Sequence, residues 1–150
     1  MIEIEVEDAA WTAALPDVEA VVERAALAAL GKTEGDVVIL LTDDAAIHDL
    51  NVRFRDKDKP TNVLSFPAAE SAFPHLGDVV LAHAYCAAEA TAQGKTLSDH
   101  LSHLVVHGIL HLLGYDHMED DEAEEMEGEE RVILSGLGIA DPYLSEHEPQ

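Results

Sequence analysis

The sequence predicts an α/β (α+β) chain: a small mixed sheet of about four strands carrying helices. Three observations predict it. Short apolar runs rich in β-branched residues recur at 36–41, 63–66 and 77–82, and residues 2–7 alternate apolar with acidic side chains. Stretches with helical spacing lie between and after them, several closed by glycine (Gly31, Gly94, Gly114). The resulting order, β-α-β-α-β-β-α-α-α, is that of a sheet layered with helices.

Taken in order, Ile2, Ile4 and Val6 alternate with Glu3, Glu5 and Glu7, which marks a half-buried strand. Pro16 and Asp17 mark a helix entry with Asp17 as N-cap, and Val18, Val21, Val22, Ala25 and Ala29 form a stripe up to Leu30. Residues 36–41 (DVVILL) read as a central strand. Thr42 or Asp43 caps a second helix that runs through about Phe54, with Ile47 and Leu50 facing in. The charged residues 56–59 and Pro60 cannot continue it. Residues 63–66 form a strand closed by Pro67, which fits an edge or a strand end. A loop over 68–76 leads to a strand at 77–82 and an Ala-rich helix at 83–93. Thr96 or Ser98 caps the next helix, which runs to Leu113. The acid-rich stretch from Glu119 predicts a further helix with Met126, Val132, Ile133 and Leu134 on its inner face, its acids forming a solvated face. A tail follows Asp141 and Pro142. Residues 1–150 read as one domain, with no repeat and no linker.

Composition narrows the function classes. With 47% apolar residues among 150 the chain is globular, and no apolar run is long enough to cross a bilayer. The acidic, alternating N-terminus is neither a signal nor a transit peptide. Cys86 is the only cysteine, so no intramolecular disulfide can form, and its Ala-rich setting predicts a buried thiol. These features point to the cytoplasm. A net charge of −23 argues against general charge-driven nucleic-acid binding. The charges are uneven, however. Arg53, Arg55, Lys57 and Lys59 are four of the eight cations, and nine acids crowd the twelve positions 119–130. A local positive spot can still hold a phosphate.

The chemistry concentrates in HGILHLLGYDH, residues 107–117. His107 and His111 lie four apart on one helical face, so both imidazoles can reach one ion. Gly114 ends the helix cheaply in a left-handed conformation and lets the chain bring His117 back to the same point. Three neutral imidazoles match an open zinc site of the catalytic type. Such a zinc lowers the pKa of its water and polarises a phosphoryl oxygen. The spacing equals that of the metzincin proteases, but Gly108 stands where they carry their catalytic glutamate. That removes the general base for peptide hydrolysis and a charge that would repel a phosphodiester.

Four segments together resemble the YbeY family of rRNA-maturation endoribonucleases: residues 54–67 (FRDKDKPTNVLSFP), 76–80 (LGDVV), 107–117 and 117–126 (HMEDDEAEEM). The resemblance covers about residues 36–143. It implies a metal-dependent RNase acting on 16S rRNA 3′ ends and in ribosome quality control. It places His107, His111 and His117 on the family's zinc ligands and Arg55 on its functional arginine. The implied partners are rRNA and the small ribosomal subunit, with ribosomal proteins or an assembly GTPase, and neither a membrane nor DNA.

From the residues themselves, Arg55 can grip phosphate oxygens bidentately, and Lys57 and Lys59 can steer RNA. Arg53 points elsewhere on the helix and reads as structural. His103, four before His107, is either a partner of the ligands or an ordinary hydrogen-bonded helix histidine, with a weaker case for His100. Asp116 orients a ligand or simply forms the turn. Asp78 reads as a strand-end turn residue. Thr61, Asn62 and Ser65 either donate to RNA or shape the loop and strand edge. Tyr115 and Phe66 can stack on bases or fill the core. Two other functions compete with the nuclease: a metallopeptidase, and a non-catalytic ribosome-assembly factor with structural zinc.

Overall fold

The computed structural model describes residues 1–115 and 119–143. Four strands, β1 (Ile2–Val6), β2 (Asp36–Thr42), β3 (Val63–Pro67) and β4 (His75–Ala82), form one sheet in the order β1-β2-β4-β3. The pairs β1–β2 and β2–β4 are parallel and β3–β4 is antiparallel. The mixed sheet is the expected one, with β2 inside it and β3, closed by Pro67, on an edge.

Strand alternation divides the side chains between two faces. Val37, Ile39, Leu41, Val79 and Leu81 point into a large cluster with Trp11, Val22, Leu101, Val105, Ile109, Met126 and Leu134. This face is covered by α2 (Val18–Leu30), α5 (Leu97–Leu112) and α6 (Asp120–Gly136). Val80, Ala82 and Leu64 point the other way, onto Ile47 of α3 (Asp44–Arg55), with Tyr85 of α4 (His83–Ala92) alongside. The second cluster is much smaller and leaves β1 uncovered, so Glu3 and Glu5 stay in water.

Helix starts follow the cap chemistry. The Asp43 carboxylate accepts from Ala46 N at 2.8 Å, and the Thr96 hydroxyl accepts from Asp99 N at 3.1 Å. Asp17 holds the N-cap position of α2 without a side-chain cap bond. The sequence reading misses α1 (Ala9–Ala14), a six-residue helix capped by Asp8, which accepts from Ala10 N at 2.9 Å. Its one large apolar residue, Trp11, is wholly buried and donates Nε1–H to Thr42 O at 3.0 Å. The predicted loop at 68–76 holds a 3₁₀ turn (Glu70–Ala72), and β4 begins earlier than expected, at His75. Asp78 therefore lies within β4, opposite Phe66, and is no strand-end turn residue. On α6, Met126 and Leu134 are buried, but Val132 is 70% exposed, against expectation. Its neighbour Ile133 takes the inward direction, because one residue rotates the side chain by about 100° on a helix.

Cys86 is buried, and burial pushes its thiol far above the usual range. Among the described residues, no helix is long and apolar enough to cross a membrane.

Candidate functional site

Helix α5 has an apolar stripe, Leu101, Leu104, Val105 and Ile109, that fixes its rotation against the sheet. That rotation turns His107 and His111 out of the core together, with ring centroids 4.8 Å apart. The helix ends in a Schellman motif: Tyr115 N donates to Leu110 O at 3.0 Å and Gly114 N to His111 O at 3.1 Å. Gly114 has φ +102°, which only glycine adopts without strain. His117 and Asp116 lie outside the described residues.

A carboxylate that the sequence reading left on a solvated face stands behind the pair. Glu130 of α6 is 0% exposed, although it ends a run with eight other acids. His107 Nδ1 donates to its Oε1 at 2.9 Å and His103 Nε2 to the same oxygen at 3.2 Å. Tyr143 OH donates to Oε2 at 2.6 Å. Burial raises the Glu130 pKa, but the hydrogen bonds from His103, His107 and Tyr143 more than offset it and hold the carboxyl at about 2. Glu130 is therefore ionised at neutral pH and holds the His107 proton on Nδ1, which puts the lone pair on Nε2. A signal existed in the sequence: Glu130 is four residues after Met126 and four before Leu134, on the helix's buried stripe. His103 is thus the partner of a candidate ligand's carboxylate.

The second half of the site comes from the other face of the sheet. Helix α3 stops at Arg55, where Asp56 takes a left-handed conformation (φ 55°). Asn51 Nδ2 then donates to Lys59 O at 2.8 Å and pins the charged loop back onto the helix. Arg55 reaches round the sheet edge, and its Nη2 donates to Ser65 O at 2.9 Å. Ser65 Oγ donates to Gly108 O at 3.1 Å, which ties the edge strand to α5. Gly108 is required for that approach: a Cβ there would lie 2.7 Å from Val79 Cγ1 and 3.2 Å from Ser65 Oγ. Position 108 therefore faces the sheet.

One cavity of about 720 Å³ joins the two halves, lined by Arg55, Lys57, Lys59, His107, His111 and Tyr115. Residues fifty apart in sequence thus share a wall. Thr61, Asn62 and Ser65 also line it, but the last two serve the strand edge. Asn62 Oδ1 accepts from Val63 N at 2.6 Å and its Nδ2 donates to Glu89 at 2.9 Å. His100 Nε2 meets the same Glu89 oxygen at 3.0 Å, so His100 supports this loop anchor and not the cavity. Burial, partly opposed by Glu89, lowers the His100 pKa. Arg53 pairs with Asp49 at 3.1 Å.

Among the described residues no group of three or more His, Cys, Asp or Glu side chains could hold a metal ion, but the chemistry of the two predicted ligands described, His107 and His111, fits one. Two imidazoles project side by side into a cavity, and one is oriented by an ionised buried carboxylate, the usual support of a zinc histidine.

A family profile described as Endoribonuclease YbeY matches residues 3–138. The chain belongs to the Endoribonuclease YbeY family. Members similar to it include the Endoribonuclease YbeY of Azorhizobium caulinodans, 57% identical over 95% of each chain. That of Paramagnetospirillum magneticum is 52% identical over 95% of this chain and 94% of its own. A Thermotoga maritima protein solved in solution shares the fold, with a TM-score of 0.62 and 29% identity over 90% of this chain and 87% of that one. Members of the YbeY family are named as endoribonucleases, which matches a cavity with a cationic wall.

Proposed function

We propose that this protein is a zinc-dependent, single-strand-specific endoribonuclease that matures 16S rRNA 3′ ends and serves ribosome quality control in the cytoplasm. Its partners are rRNA in the small ribosomal subunit and ribosomal proteins or an assembly GTPase, with no role for a membrane or for DNA. The observation that carries the reading is the single cavity bounded by His107 and His111 on one side and Arg55, Lys57 and Lys59 on the other.

His107, His111 and His117 would hold the zinc, with Glu130 fixing the His107 ring. When bound, zinc supplies an acidified water and a Lewis acid for a phosphoryl oxygen. Arg55 is the residue for the scissile phosphate: its guanidinium fork matches phosphate oxygens and stabilises charge that develops on them. Its bond to Ser65 O holds one edge of the fork and aims the rest. Lys57 and Lys59 draw the RNA backbone in and set its register.

A metallopeptidase is the weaker alternative, because its glutamate belongs at position 108, where even a methyl group would collide with Val79. A non-catalytic assembly factor with structural zinc is the other alternative, disfavoured because three histidines would leave a coordination position open where a structural zinc has four protein ligands. The test is digestion of single-stranded rRNA by metal-free and zinc-loaded protein. A chelator should abolish cleavage and zinc restore it, while His111→Ala should lose both zinc and activity. RNA left intact by zinc-loaded protein that cuts peptides would establish the peptidase instead.

A further inference from the structure

The last turn of α3 overhangs the sheet. Ile47 and Asn51 are buried, and Phe54, seven residues after Ile47, continues their stripe. Strand β3 is the edge of the sheet, and Phe54 packs against Phe66 of that strand and stays 60% exposed. Its ring meets Phe66 edge-on, with centroids 5.6 Å apart. The Arg53 guanidinium stands 5.6 Å from the Phe54 centroid, and Arg55 stands 5.9 Å from that of Phe66. Phe66 alternates with Ser65 and Pro67 along β3 and so points away from the cavity that they line; the aromatic pair is linked to that cavity by Arg55, which lines it and stands against the Phe66 ring. In a chain of net charge −23, half of the Lys and Arg residues gather at this spot.

An exposed aromatic surface bordered by guanidinium groups, one of which also lines a cationic cavity, is the form of a site that holds single strands by stacking. We propose that Phe54, supported by Phe66 and Arg53, is a stacking platform for an unpaired nucleobase of the RNA, next to the phosphate held by Arg55. The proposal rests on the nuclease reading and deepens it. A double helix keeps its bases stacked inside, so the platform admits only unpaired bases and contributes to single-strand preference.

The test measures binding of the full, zinc-loaded chain to single-stranded RNA with phosphorothioate linkages, which resists hydrolysis. Phe54→Leu removes the aromatic face and should weaken binding about tenfold, while Phe54→Tyr keeps it and should bind as the original chain does. A strand with an abasic sugar at each position should bind the original chain and Phe54→Leu equally. Unchanged affinity of Phe54→Leu for the base-bearing strand would overturn the platform and leave the patch to a protein partner. An equal loss on the abasic strand would overturn it too, because the defect would then be in backbone contacts. If Phe54→Leu binds weakly but no form of the protein cuts natural RNA, the platform stands and the nuclease reading falls. If RNA is cut and Phe54→Leu binds normally, the nuclease reading stands and the platform falls.

Discussion

The two faces of the sheet are built to different depths, and each supplies one half of the site. On the deep face, α2, α5 and α6 bury a continuous cluster, and the histidines stand on α5 in its middle. On the shallow face, α3 packs Ile47 on three buried sheet residues, Leu64, Val80 and Ala82, and ends in an exposed aromatic and a charged loop. The difference matches what each half must do under the proposed function. Metal ligands tolerate little displacement, and the two candidate ligands project from a helix packed on several sides, one of them oriented by a buried carboxylate. Contacts to a polymer must admit chains in several conformations, and they sit at a helix end and a loop that few side chains constrain.

The largest test of this contrast is in the packing. Ile109→Ala on the deep face should cost about 3–4 kcal/mol, because its neighbours on α5, β2 and β4 cannot close the cavity. Ile47→Ala, buried equally on the shallow face, should cost about 2 kcal/mol, because α3 can settle. Urea unfolding measures both, and equal costs would break the comparison.

Glu130→Gln comes next. It keeps the side chain's shape but removes the charge that accepts from His103 and His107. Stability should fall by about 1–3 kcal/mol, and zinc affinity by roughly ten- to a hundredfold. Competition with a chelator reads the affinity, and unchanged zinc binding would detach Glu130 from the site.

A smaller effect distinguishes the loop anchor. The folded pKa of His100 is lowered by burial, so the unfolded chain binds its proton first as the pH falls. Its contribution is present above the unfolded value of about 6.5 and is lost as the pH drops below it toward the folded pKa. His100→Gln should therefore flatten the fall in stability as the pH drops below about 6.5, relative to the original chain. An identical slope would mean that His100 is protonated alike in both states.

Much of this was legible in the sequence because the relevant signals were periodic and local. The strands at 36–41 and 77–82, the helix from Thr96, and the pairing of His107 with His111 each follow from spacing within one element. The proximity of Arg55 to the histidines had no local signal, since it depends on β3 joining the sheet beside β4 and on α5 lying over that edge. Helix α1 escaped because six residues are too few to show a period, and the burial of Trp11 is a tertiary event. The outward turn of Val132 has no local signal, because three consecutive apolar residues do not say which two point inward. Glu130 was hidden by composition: among nine acids its place on the stripe of Met126 and Leu134 outweighed its charge, and the charge was satisfied by groups on α5 and beyond α6.

The central claim is that residues from the two faces act as one site, and Arg55→Glu tests it most directly. Zinc content and RNA cleavage are measured on the same purified sample. The account predicts full zinc, a thermal midpoint close to that of the original chain, and loss of single-stranded rRNA cleavage. Zinc retained with cleavage undiminished would contradict it, because the histidine half would then work without the phosphate half.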